Sequence, residues 1–418
     1  MEKISVGSFV ANRYFFLIHP QKQNDSKLSS MKLKSKIFLT TAFVATLFAA
    51  CSSGNDKNLT VSGLNPAKFD TIIHEKPVKL FVIKNSHDME VCVTNFGARI
   101  VSICVPNKAD IATDVVLGFD NIAQYADTVH NASDFGAVIG RYANRINKGQ
   151  ITVAGKKIQL PQNSFRHCLH GGPSGWQYAI YEGQQLNDST LQLSLHSPNG
   201  DNNFPGNVTA TVTYTVKNDN TLDIQFEAKT DAETVINMTN NSYINLSGDP
   251  SKAGTNMILY INADNYTPCD STLMTTGEIK SVYGTPMDFR KRHPLFETIG
   301  DTTFTQIKYA NGYDHNYVLN TYTNGKGDDT KVAASLYSPE SGIYMEVFTN
   351  QPGLQFYSGN LLSGSVVGKK GIAYPQRAAV CLAPQKYPNS PNKKNWPSPY
   401  LKPGEKYFSH VAYRFSIR

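Results

Sequence analysis

The 418-residue chain lacks a long hydrophobic run, a Cys-x-x-Cys pair, a block of like charge in its body and, almost everywhere, helical spacing. Its longest uncharged, mostly apolar stretch, residues 37–50, is too short to span a bilayer as a mature helix. Six cysteines are present, none in a Cys-x-x-Cys arrangement, which excludes a zinc ribbon or a dithiol redox pair. After Cys51 five remain (Cys92, Cys104, Cys168, Cys269 and Cys381), so at least one thiol is free, and buried small apolar side chains are the expectation for most of them. Charged residues make up only 17%, and the formal charge of +7 is concentrated at one end. The first fifty residues hold seven Lys or Arg against Glu2 and Asp25, whereas residues 51–418 carry 33 basic and 31 acidic side chains. Nothing gathers the basic residues on one face, so nucleic acid is not an indicated partner. Residues 69–418 also lack a Pro/Ser/Gly-rich linker, which leaves one domain.

The first seventy residues have a layout of their own. Met31-Lys-Leu-Lys-Ser-Lys begins a basic segment, the apolar stretch 37–50 follows, and small residues lead into Cys51. This is the order of a bacterial lipoprotein signal, with Cys51 as the acylated N-terminus and Met31 as the initiator. The expected organisation is therefore an upstream extension plus signal peptide over 1–50, a polar tether over 51–70, and a single domain over 71–418. The mature protein is expected to be exported, periplasmic or outer-membrane associated, and held to the membrane through lipidated Cys51.

Beyond residue 70 apolar residues alternate with polar ones. Residues 150–154 and 157–160 flank a turn at Gly155. The runs 190–195, 207–216 and 221–228 alternate in the same way, the last two separated by a hairpin turn at Asn218-Asp-Asn. Further strands are expected over 257–261, 333–337, 342–348 and 410–417. Many strands with turn signals at short intervals predict an all-β fold, a large antiparallel β-sandwich. The long polar loops 163–176, 201–206 and 385–401 are where such a sandwich carries function.

Several stretches depart from this alternation and concentrate hydroxyl-binding groups: Gly140-Arg-Tyr-Ala-Asn-Arg-Ile146, Cys168-Leu-His-Gly-Gly172, Asn240-Asn-Ser-Tyr243, Gly312-Tyr-Asp-His-Asn316, Gln351-Pro-Gly-Leu-Gln-Phe-Tyr357 and Cys381-Leu-Ala-Pro-Gln-Lys386. With Asn95-Phe-Gly-Ala, Leu117-Gly-Phe-Asp, Asn203-Phe-Pro-Gly and Gly284-Thr-Pro-Met-Asp-Phe-Arg290, their order over residues 75–418 resembles the aldose 1-epimerase (mutarotase) family. The resemblance implies a single large β-sandwich with an open cleft for a free monosaccharide such as galactose or glucose. It also implies interconversion of the sugar's α and β anomers without metal or cofactor. Matched motif by motif, the sugar-binding positions fall on Asn144, Arg145, His170, Ser242, Tyr243, Asp314 and Gln355.

Two positions break the pattern. The resemblance places the family's acid, a histidine, at Asn241, and its base, a glutamate, at Ala383. A carboxamide does not titrate near pH 7 and a methyl group has no proton to exchange. Asn389 and His167 also differ from the residues the family shows. Two readings stand open. In one, the proton transfers are relocated, with His170, His167 or His315 titrating and Asp314 as base. In the other, the protein is a non-catalytic sugar-binding lipoprotein in which Asn241 donates to and accepts from the ligand.

Overall fold

In the computed structural model the described residues are 59–128, 130 and 133–418. The signal segment and Cys51 lie outside them. Within them the alternating runs form strands as expected. Val208–Val216 buries every second side chain, and its partner Thr221–Thr230 follows a turn in which Asn220 takes a positive φ of 57°. The turn at Gly155 likewise joins Gln150–Val153 to Lys156–Gln159. Among the described residues only two short α-helices, Ile122–Ala126 and Thr305–Ala310, interrupt the pattern, and no described helix is long and apolar enough to cross a membrane.

The largest sheet has nine antiparallel strands, in the order Glu182–Asn187, Thr190–Ser197, Val208–Val216, Thr221–Thr230, Tyr407–Ile417, Ile343–Thr349, Val332–Tyr337, Ile258–Ile261, His293–Pro294. A five-stranded antiparallel sheet, Lys280–Ser281, Asn265–Thr267, Asp314–Val318, Gly353–Tyr357, Cys381–Gln385, shares its core. Leu336, Val347, Val411 and Phe415 from the first sheet join Tyr317, Leu354, Phe356 and Leu382 from the second in one buried cluster. A four-stranded sheet, Leu80–Lys84, Glu90–Thr94, Arg99–Pro106, Ala112–Asp114, adds Ile83, Val91, Val93 and Ile103 to it. The fold is thus all-β with a large antiparallel sheet. The five cysteines in the described region are free and buried, and burial pushes their thiols upward, Cys92 and Cys168 to about 12.

Two expectations need correction. Residues 59–70, assigned with the tether, are packed: Leu64 and Phe69 are buried, and the Val61 N–H donates to Glu90 Oε1 (2.7 Å). Apolar Leu64 and Phe69 fill a second buried cluster with Phe119, Tyr125 and Phe135, and a polar tether cannot do this. The stretches 312–316, 351–357 and 381–386, taken as departures from strand alternation, are centred on strands of the five-stranded sheet. Their alternation is masked because the face turned away from the core is not uniformly polar: Cys381 and Ala383 sit on it beside Asp314 and Gln355.

Candidate active site

Register fixes which side chains of the five-stranded sheet share a face. Directly opposed residues of antiparallel strands point the same way, and residues two apart do so along a strand. Asn316, Gln355 and Ala383 therefore form one row across three strands, with Asp314, Tyr357 and Cys381 in the next row and Gly353 with Gln385 in the one beyond. The opposite face carries His315, Phe356 and Leu382, then Tyr317, Leu354 and Pro384, and is turned to the core. One face of these strands is thus spent on the core, and the other is the floor of a polar cleft.

On that floor Gln355 Nε2 donates to Asp314 Oδ1 (2.7 Å), and Arg145 Nη1 stands 3.8 Å from Asp314 Oδ2. Arg145 comes from a wall made by two short paired strands, Arg145–Ile146 and Cys168–Leu169. The wall brings in Asn144 and His170 as well. Asn144 has a positive φ of 69°, its Oδ1 accepts from the Arg145 N–H (2.8 Å), and its own N–H donates to His170 Nδ1 (3.1 Å). A ring nitrogen that accepts from a backbone N–H carries no proton, so His170 is neutral with its hydrogen on Nε2. Burial lowers its pKa; Asp134 opposes that shift, Arg145 adds to it and Asp314 opposes it.

The other wall is the strand Thr239–Asn241, which pairs with Ala137–Ile139 and is tied to the floor by Thr239 Oγ1 donating to Pro384 O (2.7 Å). Asn241 stands at its end, its carbonyl accepting from the Gly136 N–H (3.0 Å). Ser242 donates its hydroxyl proton to Asn240 Oδ1 (2.6 Å) inside the wall. Tyr243 packs edge-on against Phe135 and Tyr357, with ring centroids 4.7 and 5.9 Å away, which carries it to the Asp314 end of the floor. The contacts therefore bring together the sequence-derived residues Asn144, Arg145, His170, Asp314 and Gln355, with Tyr243 against Tyr357, Ala383 opposite Gln355 on the same face, Asn241 at the end of the neighbouring strand and Ser242 turned to Asn240.

A model of the family described as Aldose 1-epimerase matches residues 79–414. The chain is 37% identical over 332 residues to galactose mutarotase from Mus musculus, covering 79% of this chain and 92% of that one. It is 36% identical over 343 residues to aldose 1-epimerase from Escherichia coli (strain K12), covering 81% and 96%.

The chain belongs to the aldose 1-epimerase family.

Solved structures agree: an aldose epimerase homologue from C. elegans superposes with a TM-score of 0.73 at 29% identity, covering 81% of this chain and 99% of that one. Galactose 1-epimerase from Lactobacillus acidophilus NCFM gives 0.71 at 27%, covering 83% and 97%.

Within this family member two of the histidines considered as titrating groups are committed elsewhere. His315 is turned to the core: its Nδ1 accepts from the Asp314 N–H (3.1 Å), its Nε2 lies 3.4 Å from Cys269 Sγ, and burial drives its pKa down to about 4. His167 joins two loops, its Nδ1 accepting from the Lys148 N–H (3.1 Å) and its Nε2 meeting Thr272 Oγ1 (2.9 Å). His170 faces the cleft, but protonating its Nδ1 would break the bond from Asn144. Asn389 also serves the scaffold, its Oδ1 accepting from the Asn147 N–H (3.0 Å).

The sequence reading missed Asn316 as a site residue and took Gln385 only as part of a motif. Both have buried amide atoms on the cleft face, Asn316 Oδ1 and Gln385 Nε2, without a hydrogen-bond partner, as has Gln355 Oε1. The signal was available in the spacing: Asp314 and Asn316, like Ala383 and Gln385, are two apart and so must share a face once the segments are strands.

Proposed function

We propose that this cleft holds a free hexose of the galactose or glucose type, and that interconversion of its anomers through residues 241 and 383 is weak or lost. The buried, unpartnered amide atoms on two adjacent rows of the floor, Asn316 Oδ1 and Gln355 Oε1 in one and Gln385 Nε2 in the next, carry the reading. Buried amides left unpaired cost about 1–3 kcal/mol each. A neutral ligand rich in hydroxyls, each of which can both donate and accept, removes that cost. Beside these rows, Arg145 offers donors in a fixed plane and the Asp314 carboxylate accepts from two vicinal hydroxyls. The sugar class is supported by relatives named galactose mutarotase at 36–37% identity.

Asn241 has no side-chain hydrogen bond among the described residues and is suited to hold a ring oxygen without giving it a proton. Ala383, directly across from Gln355, leaves only a methyl group at the site of the family's base. The test is calorimetric titration of the protein with D-galactose and D-glucose, alongside polarimetry of fresh α-anomer. Binding is expected to weaken at least tenfold in Asp314→Asn, and the double variant Asn241→His/Ala383→Glu is expected to outpace the wild type by about 100-fold or more. Absence of binding to either sugar, or a double variant no faster than the wild type, overturns the reading.

The mature chain is further proposed to begin at lipidated Cys51 and to reside in the periplasm or at the outer membrane. The basic segment from Met31 and the small residues before Cys51 support this. In bacteria fed radiolabelled palmitate, label is expected in the wild type and not in Cys51→Ser. Label retained in Cys51→Ser rules out the anchor.

A further inference from the structure

We propose that His410, held between Asp223 and Asp329 on the nine-stranded sheet, is a proton-operated latch: charged, it keeps the loop 321–331 closed on that sheet, and on losing its proton it releases the loop. The inference does not depend on a sugar in the cleft.

His410 lies in the strand Tyr407–Ile417, directly opposite Gln225 of Thr221–Thr230. Alternation turns Val411 and Tyr413 to the core together with Ile224 and Phe226. His410, Ala412 and Arg414 therefore share the other face with Asp223, Gln225 and Glu227. Asp329 reaches this face from the loop that precedes Val332–Tyr337. The imidazole Nε2 stands 2.9 Å from Asp223 Oδ2, and its Nδ1 stands 2.7 Å from Asp329 Oδ2. An ionised carboxylate only accepts, so both ring nitrogens are satisfied at once only when each carries a hydrogen. That species is the imidazolium. Burial opposes the charge, but the two carboxylates outweigh it and raise His410 above its ordinary 6.5. Burial also opposes the charge of Asp223, yet His410 and Lys217 hold its carboxyl down to about 2.

The two carboxylates are not held alike, and this gives the latch its direction. The Asp223 side chain is only 4% exposed, is ion-paired with Lys217 and accepts from Gln225 Nε2 (3.3 Å). The Asp329 side chain is 38% exposed and makes no other ion pair among the described residues. A neutral imidazole keeps one N–H. With that hydrogen on Nε2 toward Asp223, the Nδ1 lone pair is left against an Asp329 oxygen, and the two repel. Asp329 is the partner free to withdraw. The other charged groups of the packed elements have partners of their own: Glu227 with Lys406, Glu346 with Arg414 (2.7 Å) and Asp328 with Lys331 (3.1 Å). None of them replaces the imidazolium.

The chain on either side limits how far the release spreads. Within the loop the hairpin Tyr322–Thr323/Lys326–Gly327 has only two paired positions, and residues 323–326 are exposed. Ahead of it the Leu319 N–H donates to Pro352 O (3.0 Å) and the Asn320 N–H to Asn262 O (2.9 Å), which pins the chain leaving Asp314–Val318. Behind it Val332 is already paired with Phe348 in the large sheet. The His410 backbone is fixed separately, its N–H donating to Asn350 Oδ1 (3.0 Å) and its carbonyl accepting from Thr349 Oγ1 (2.7 Å). Opening is thus confined to 321–331. For a folded pKa above the unfolded one, the contribution is complete below 6.5 and is lost as the pH rises through the folded value. The latch therefore opens on the alkaline side.

The test is amide hydrogen exchange at about pH 6 and about pH 8.5, expressed as protection over the intrinsic rate at each pH. It compares the wild type, His410→Gln and Asp329→Asn, with the strand Ile343–Thr349 as internal reference. Residues 321–331 of the wild type are expected to lose about tenfold in protection at the higher pH while the reference stays within about twofold. In His410→Gln the loop should be equally and weakly protected at both pH values. In Asp329→Asn an amide that can donate to Nδ1 should keep the loop protected at both. The His410 ring resonance, identified by its absence from His410→Gln, should titrate above 6.5 in the folded protein. Equal protection of the wild-type loop at the two pH values, a full pH dependence retained in His410→Gln, or a ring titrating at or below 6.5 overturns the proposal. If His410→Gln also loosens the reference strand, Asp329→Asn decides: a loop that still opens at the higher pH without that carboxylate overturns it.

Discussion

Neighbouring residues Asp314 and His315 show how far one step along a strand separates chemical roles. Asp314 meets Arg145 and Gln355 in the cleft, whereas His315 is enclosed by the core, its ring edge-on to Tyr266 with the two ring centroids 6.2 Å apart. Burial, against a smaller opposing effect of the Asp314 charge, holds His315 down to about 4, so the folded protein keeps it neutral where the unfolded chain protonates it near 6.5. For a folded pKa below the unfolded one, stability is complete above the unfolded value and is lost as the pH falls toward the folded one. This single group should cost about 3 kcal/mol of stability between pH 6.5 and 4, at about 1.4 kcal/mol per pH unit. Urea denaturation at the two pH values measures it. His315→Gln is expected to lose most of that acid slope, leaving what His167 and His170, also lowered by burial, contribute. An unchanged slope in the variant would mean that His315 does not titrate across folding.

At the scale of strands, legibility followed the environment of each face. Thr190–Ser197, Val208–Val216 and Thr221–Thr230 each have one face on the core and one toward polar surroundings, and their alternation could be read directly. Arg99–Pro106 is buried along nearly its whole length, and a strand covered on both sides gives no period to find. The cleft strands failed for a third reason: their outward positions mix Asp, Asn and Gln with Cys, Ala and Gly, so neither face is chemically uniform. The candidate site residues were picked out by motif resemblance, and only register could show that Ala383, Gln355 and Asn316 stand in one row.

For the whole molecule, the decisive boundary is where packed chain begins. The expectation of a tether through residue 70 came from composition, but Leu64 and Phe69 are buried, and Ser62 Oγ donates to Ser102 Oγ (3.1 Å) within the four-stranded sheet. With Cys51 as the proposed anchor, residues 52–58 remain between lipid and packed chain, and seven residues reach at most about 25 Å. The segment 59–70 consequently belongs to the fold's stability. Its two large apolar side chains contribute about 1.5–3 kcal/mol each on burial. Buried Glu90, whose pKa burial raises, would also lose the Val61 N–H donor. A chain shortened to begin at Thr71 is therefore expected to be about 3–6 kcal/mol less stable than one beginning at Leu59, with its urea midpoint lowered in proportion. Coincident denaturation curves for the two chains would instead return residues 59–70 to the tether, because a segment that leaves the body's stability unchanged contributes nothing to its core.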